Sequence, residues 1–327
     1  MNVLTRSGIR RFSSIKSISD NDLGSGLIKT LNSVFDSSKN YVIQNGKRTI
    51  ECRYVRRDPK YISTYLSSHT GCVMGCKFCW LTETRQTSFQ HVSIDDYVNQ
   101  LDLVLSEVPD EYKTREECRV NVNFMARGEP CANRHLINSY QLLYDSLQEV
   151  VNRHEFGRMK MNVSTIFPYT LRDRILHQVF ADRPVNLYYS IYSINERFRK
   201  VFLPNAMPVK YALDQFKVFQ ELHNSLNTLV FHCAFIEGEN DNLDDVKRMA
   251  DMIRSYQFRN TKFNLVRLNP YSNKTKGVMN ESTKLQEIFT IMNDCVTNKL
   301  DTQQSRIVNR VGSDVYASCG MFYDQDT

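Results

Sequence analysis

Three cysteines, Cys72, Cys76 and Cys79, stand in the run Gly71-Cys-Val-Met-Gly-Cys-Lys-Phe-Cys79, a C-x3-C-x2-C spacing with an aromatic residue before the last thiol. Three thiolates on one short loop can hold three irons of a [4Fe–4S] cluster and leave the fourth iron open to a ligand. His69 lies three positions upstream, so a Cys3His zinc site is possible on ligand type alone. Zinc sites usually come as two ligand pairs across a spacer, and no second C-x2-C exists in the chain. A disulfide framework fits poorly, because the nine cysteines are odd in number and the other six are scattered. Plain packing cysteines are the bland alternative; the cluster is the preferred reading.

Further polar residues stand where a ligand could use them. Arg127-Gly128-Glu129-Pro130 combines a glycine that admits close backbone approach with a carboxylate able to accept hydrogen bonds from an ammonium group. The hydroxyls of Ser164, Thr165 and Ser190, and the amide of Asn269, follow extended runs; each alone is as readily a helix cap or turn residue. Near the C-terminus, Cys319 sits in Gly312-Ser-Asp-Val-Tyr-Ala-Ser-Cys319-Gly320, where small neighbours suit a mobile loop carrying a thiol. A single cysteine is also a common small buried hydrophobe.

The elements that must place these residues alternate in type. Extended runs are expected at Tyr61–Ser67, Val120–Met125, Lys160–Ser164, Val185–Tyr192, Leu229–Ile236, Lys262–Leu268 and Arg306–Val311. Between them, helical patterns run from the Ser93 capping box to about Glu107, over Arg134–Val150 and Tyr169–Phe180, from Pro208 to His223, and over Leu243–Tyr256 and Glu281–Val296. Such alternation predicts an α/β fold with a parallel sheet and right-handed crossovers, a partial TIM-type (β/α)6 barrel whose active groups follow the strands. The expected organisation is a basic flexible arm (1–20), a small N-terminal cap (21–60), the barrel core (61–300) and a C-terminal strand with the cysteine loop (301–327). Within the cap, Leu23–Phe35 reads as a short helix and Tyr41–Asp58 as a hairpin around Asn45-Gly46.

Composition sets outer limits. The chain has 327 residues, 41% hydrophobic and 24% charged, typical of a globular protein, and no apolar run approaches a membrane span. The net charge of +6 permits a nucleic-acid partner without requiring one. Arg6, Arg10, Arg11 and Lys16 outnumber Asp20 in the first stretch, which reads as a mitochondrial presequence, a phosphate-touching arm or a solvated tail. Free cysteines and an oxygen-sensitive cluster point to a reducing compartment.

The cysteine triplet is the signature of radical SAM enzymes. From about Val55 to Met321 the chain resembles one subgroup, the RlmN/Cfr family of radical SAM adenine methyltransferases. The resemblance rests on Ser67 and Ser68 before the Gly71–Cys79 loop, Gly128–Pro130, Ser164-Thr165, Asn240-Asp241, Asn264 through Asn269-Pro270, and Gly312, Asp314, Val315, Ala317, Cys319 and Gly320. It implies a [4Fe–4S] cluster on Cys72, Cys76 and Cys79, with S-adenosylmethionine (SAM) near Gly128, Glu129, Ser164, Thr165, Ser190 and Asn269. It also implies that Cys319 is methylated by one SAM, gives up a hydrogen to a radical made from a second, and then links covalently to an RNA adenine, at C2 in this branch and C8 in the Cfr branch. The expected substrate is ribosomal or transfer RNA, and the expected electron donor is a flavodoxin or ferredoxin. A cytoplasmic monomer without a membrane partner is implied, or a mitochondrial matrix protein if the first residues are a presequence.

The chain departs from the family in places. Tyr65 occupies the position of the cysteine that resolves the RNA link, and Cys131 is the preferred substitute, followed by Cys52 and Cys118. Tyr192 replaces a histidine and Val311 an arginine, and the chain before Val55 is shorter than the family's RNA-gripping accessory domain. Two other functions compete: a radical SAM enzyme of another reaction type that uses Cys319 in a covalent or redox role, and a non-catalytic RNA-binding barrel.

Overall fold

The computed structural model describes residues 26–45, 48–113, 118–180, 183–223, 228–269, 279–296 and 304–323. They form one ten-stranded sheet whose strands follow in chain order. The strands are β1 (Leu27–Asn32), β2 (Lys39–Asn45), β3 (Arg48–Asp58), β4 (Tyr61–Leu66), β5 (Arg119–Phe124), β6 (Arg158–Thr165), β7 (Asn186–Ser190), β8 (Leu229–Cys233), β9 (Thr261–Val266) and β10 (Arg306–Val308). Pairing is antiparallel from β1 to β4 and parallel from β4 to β10. The parallel part is the expected partial barrel, and every expected strand is present.

The helices are α1 (Trp80–Glu83), α2 (Ile94–Ser106), α3 (Asp110–Lys113), α4 (Arg134–Asn138), α5 (Tyr140–Arg153), α6 (Leu176–Phe180), α7 (Glu196–Phe202), α8 (Val209–Leu222), α9 (Leu243–Ser255) and α10 (Leu285–Asn293). The capping box exists: the Ser93 side chain accepts from the Asp96 backbone N–H and Asp96 answers to the Ser93 N–H. Three readings need correction. Residues Leu27–Asn32 are a strand, because antiparallel pairing with Lys39–Asn45 outweighs local helical preference. The stretch Arg134–Val150 holds two helices, broken at Ser139 (φ −143°, ψ 38°). Residues Tyr169–Leu171 form a single 3₁₀ turn, and the helix proper begins at Leu176. The helix Glu196–Phe202, capped by the Asn195 side chain, has too short an apolar period to be read from sequence. The basic arm and Gly46 lie outside the described residues.

Side-chain alternation gives the barrel two unlike faces. On β5, Val120, Val122 and Phe124 are buried in the apolar core that the helices cover. The intervening Asn121 and Asn123 line the lumen. Amides cross-link its wall: Asn162 Nδ2 donates to Asn123 Oδ1 (2.9 Å) and Asn186 Nδ2 to Asn162 Oδ1 (3.1 Å). Parallel sheets buried on both faces usually read as continuous apolar runs, so this strict alternation marks an interior built for polar contents.

Candidate active site

The cysteine loop leaves β4 and ends in α1, with Cys79 as its N-cap residue. A backbone bond from Cys79 N to Cys76 O (3.0 Å) tightens the turn between the second and third thiols. Gly71 is required by close approach: a Cβ there would sit 2.5 Å from the Gln86 carbonyl oxygen. Gly128 has φ +94°, and a Cβ there would stand 2.5 Å from His69 Nδ1. The Gly128 turn is thereby pressed against the Ser68-His69 segment that leads into the loop.

Cys72, Cys76 and Cys79 line one cavity of about 160 Å³ together with Gly128, Glu129, Ser164, Thr165, Ser190, Asn269 and Cys319. The structure thus brings together every expected site residue except Cys131. That thiol is fully buried in the core; its backbone N–H donates to Glu129 Oε1 (3.0 Å), while its side chain is absent from the cavity wall. Cys52 and Cys118 are likewise core residues. Cys233, at the end of β8, does line the cavity, and sequence alone offered no signal for it. Tyr65 faces the barrel lumen instead, its hydroxyl accepting from Arg57 Nη1 (2.8 Å).

Burial pushes the Cys72 thiol up to about 12 and Cys79 to about 11, and holds Cys76 well above the usual thiol range. Three such thiols become thiolates only beside a strongly cationic group. Among the described residues, no three His, Cys, Asp or Glu side chains close on a single ion. His69 has both nitrogens engaged, Nδ1 with Ser68 Oγ (3.1 Å) and Nε2 with His91 Nδ1 (3.0 Å), which removes the fourth ligand of the zinc reading. A four-iron cube, whose thiolates stand on separate irons, suits thiols that share a cavity without converging on one point.

Glu129 is buried, and burial lifts its carboxyl to about 7. Its oxygens accept from the Cys131 and Ile166 backbone N–H groups (3.0 and 3.1 Å), and no cationic side chain among the described residues pairs with it. A buried carboxylate held by N–H groups beside three thiols fits a ligand ammonium. Ser164 Oγ and Ser190 Oγ both bond His232 Nε2 (2.9 and 2.7 Å). Burial pushes His232 down to about 4, so its ring stays neutral, and its Nε2 links the two hydroxyls as a pair. His232 is a further residue that sequence reading passed over. Tyr192, at φ +52°, stacks on Phe78 of the cysteine loop (4.3 Å between centroids).

Cys319 is clasped from both sides. Its carbonyl accepts from Asn269 Nδ2 (3.1 Å), and the Gly320 carbonyl from the Trp80 N–H (3.1 Å). Arg310 Nε donates to Asn269 Oδ1 (3.1 Å), so an arginine one position from the expected one supports the loop. On the other side, Asp314 accepts from Ser33 Oγ and the Val34 N–H (both 2.8 Å), and Asn40 Nδ2 donates to the Val315 carbonyl (3.0 Å). The loop expected to be mobile is therefore tied down. The Cys319 thiol is exposed, but its accessible surface opens into the cluster cavity and the barrel lumen, both of which it lines. Burial among protein atoms raises its pKa, which Arg53 partly offsets.

Asn240 and Asp241 serve the scaffold. Asn240 Oδ1 accepts from the Ile236 N–H (2.7 Å), its Nδ2 donates to the Tyr192 carbonyl (3.0 Å), and Asp241 accepts from Ser282 Oγ (2.8 Å).

No family model matches the chain. Over 260 residues, 78% of the chain, it is 28% identical to the dual-specificity RNA methyltransferase RlmN of Geotalea uraniireducens, a match that spans 66% of that protein, just under two thirds. Over 304 residues, 90% of the chain, it is 25% identical to the probable dual-specificity RNA methyltransferase RlmN of Clostridium perfringens, spanning 77% of that protein. The crystal structure of a radical SAM methyltransferase from Sphaerobacter thermophilus superposes with a TM-score of 0.69 at 18% identity, covering 90% of this chain and 80% of that one.

Proposed function

We infer that this chain, RlmN-like across most of its length, is a radical SAM methyltransferase that acts on an adenine of RNA. The observation that carries the reading is the convergence of Cys72, Cys76, Cys79, Glu129 and Cys319 on one cavity, although the chain separates them widely. The three loop thiols would hold the [4Fe–4S] cluster, and Glu129 would take the SAM ammonium. When bound, cluster and SAM supply a methyl group and a hydrogen-abstracting radical.

The protein's own part is positioning and exclusion of water. The His232-fixed hydroxyls of Ser164 and Ser190 present a polar wall for the carboxylate or ribose of SAM. Stacked Tyr192 and Phe78 shield the cavity beside the cluster loop. Cys319, held by Asn269 and by Trp80, presents its thiol between cluster and lumen as the carrier of the methyl carbon. C2 of adenine is an electron-poor amidine carbon that cannot attack a sulfonium methyl, and a covalent thiol carrier divides that step into feasible ones. With Tyr65 turned to the lumen, Cys233, which lines the same cavity, is the candidate thiol to attack the Cys319 sulfur, forming a Cys233–Cys319 disulfide as the sulfur–carbon bond breaks and its electron pair stays with the RNA-linked carbon, which takes up a proton. The RlmN-like motifs favour C2 over C8, and cluster reduction calls for a flavodoxin- or ferredoxin-type donor.

The test is anaerobic reconstitution followed by incubation with methyl-labelled SAM, a reductant and RNA. Label in adenine, an S-methyl group on Cys319 by mass spectrometry, and loss of both in Cys319→Ser are expected. SAM cleavage with no label in RNA would redirect the reading to another radical SAM reaction, and absence of SAM cleavage to a non-catalytic barrel.

A further inference from the structure

The barrel lumen below the cluster cavity is a second compartment, of about 520 Å³. Arg57, Arg119, Lys160, Lys262 and Arg306 all line it, and no aspartate or glutamate does among the described residues. Several of these cations stand on strands, so the sheet fixes where they stand. Asn121 is paired with Lys160, Asn264 with Arg306, and Tyr61 with Arg119. Arg57 donates to the Tyr65 hydroxyl and Arg119 to Asn121 Oδ1 (2.9 Å). The side chains of Lys160, Lys262 and Arg306 have no hydrogen-bond or ion-pair partner among the described residues. Lys262 is only 8% exposed.

Like charges crowded into a poorly solvated space repel, and each loses hydration. The lysines can relieve this by shedding protons: burial and neighbouring cations push Lys160 down to about 7 and Lys262 to about 8. The arginines cannot, because guanidinium stays charged at any ordinary pH. A flipped neutral base would do nothing to offset them. We propose that the lumen is an anion-binding site that takes an oligophosphate, the polyphosphate chain of a nucleotide either free or at the 5′ end of an RNA. Arginine and lysine presented from several strands suit phosphoryl oxygens spread over more than one phosphorus. The lumen shares His232, Arg267, Asn269 and Cys319 with the cluster cavity, so a ligand anchored by its phosphates extends toward the reactive thiol. The site stands on the wall residues alone and does not rest on the methyl-transfer reading.

The probe is inorganic triphosphate, titrated into cluster-loaded protein at constant ionic strength by calorimetry, with melting temperature as a second readout. Wild type is expected to bind and to melt higher with triphosphate. The Lys160→Met/Lys262→Met pair, which removes two charge-assisted contacts, is expected to weaken binding about a hundredfold. Arg306→Gln provides an independent variant should the pair fold poorly. Binding that is equal in wild type and variants, or no binding in wild type, overturns the proposal. Displacement of triphosphate by ATP supports a free nucleotide, and displacement only by 5′-triphosphorylated RNA supports an RNA end. Equal displacement by 5′-hydroxyl RNA, or none by any competitor, overturns it. Labelled-methyl transfer is scored separately, so either conclusion can fail without the other.

Discussion

The thiols of this chain divide sharply by environment. Cys131 was the natural sequence choice for a resolving thiol because it follows the Gly128-Glu129-Pro130 turn, yet the 3₁₀ turn Pro130–Ala132 folds it into the core. Cys233 carries no motif, but β8 ends where the cavity begins. Cys233→Ser is therefore expected to accumulate a covalent protein–RNA adduct, seen as a band shifted on denaturing gels and removed by nuclease. Cys131→Ser should turn over normally. A second expectation concerns Lys160, whose ammonium is depressed from 10.5 to about 7 by burial beside Lys262 and Arg119. A base with a depressed folded pKa costs stability in full below the folded value, and the cost fades as pH rises toward the unfolded value. Lys160→Met should thus raise the melting temperature most at pH 7 and below, with the gain vanishing near pH 10.5. A constant gain across that range would show that packing, rather than charge, is responsible. The triplet and the Glu129 turn were legible in the sequence because their chemistry depends on local spacing. His232, Cys233 and Arg310 were not, because their partners lie on other strands.

At the scale of elements, β3 joins the two ends of the site. Glu51 is fully buried; its Oε1 accepts from Arg127 Nε (2.7 Å) and the Tyr323 N–H (3.1 Å), and its Oε2 from Asn40 Nδ2 (2.8 Å). Arg53, also buried, donates to the Met321 carbonyl (2.7 Å) and lies over the Phe322 ring. Removing one member of a buried ionic network leaves its partners charged and unpaired, a loss of about 3–5 kcal/mol. Glu51→Ala should show a loss of that size in denaturant melts, whereas the exposed pair Lys210–Asp214 should yield under about 1 kcal/mol. Periodicity revealed the strands and the longer helices, since each repeats its pattern over several residues. It misread Leu27–Asn32 because a strand with mostly exposed side chains owes its form to hydrogen bonds with its neighbour.

At the scale of the whole molecule, an apolar shell surrounds a polar, cationic interior, and residues 317–323 cover one end of it. Cutting the chain after Val308 removes Cys319 and the contacts of Met321 and Tyr323 with β3 and Arg127. The sheet should survive, with far-UV dichroism near that of the full chain, while the cluster absorbance in air should decay several-fold faster once Cys319, Gly320 and Phe322 no longer wall the cavity. An unchanged decay would mean that the loop thiols are sheltered without the tail. The alternation of strands and helices made the barrel legible from sequence, but a closure between segments far apart in the chain leaves no local trace.

The clasp between Ser33 and Asp314 spans 281 positions. Contacts of that range are the slowest a chain can make, because so much backbone must be ordered first. Residues 33–53 are synthesised well before residues 314–323, the segment they must pair with. The clasp on the Cys319 loop therefore closes late, and a polypeptide halted short of it would hold the three loop thiols without the sulfur proposed to carry the methyl carbon.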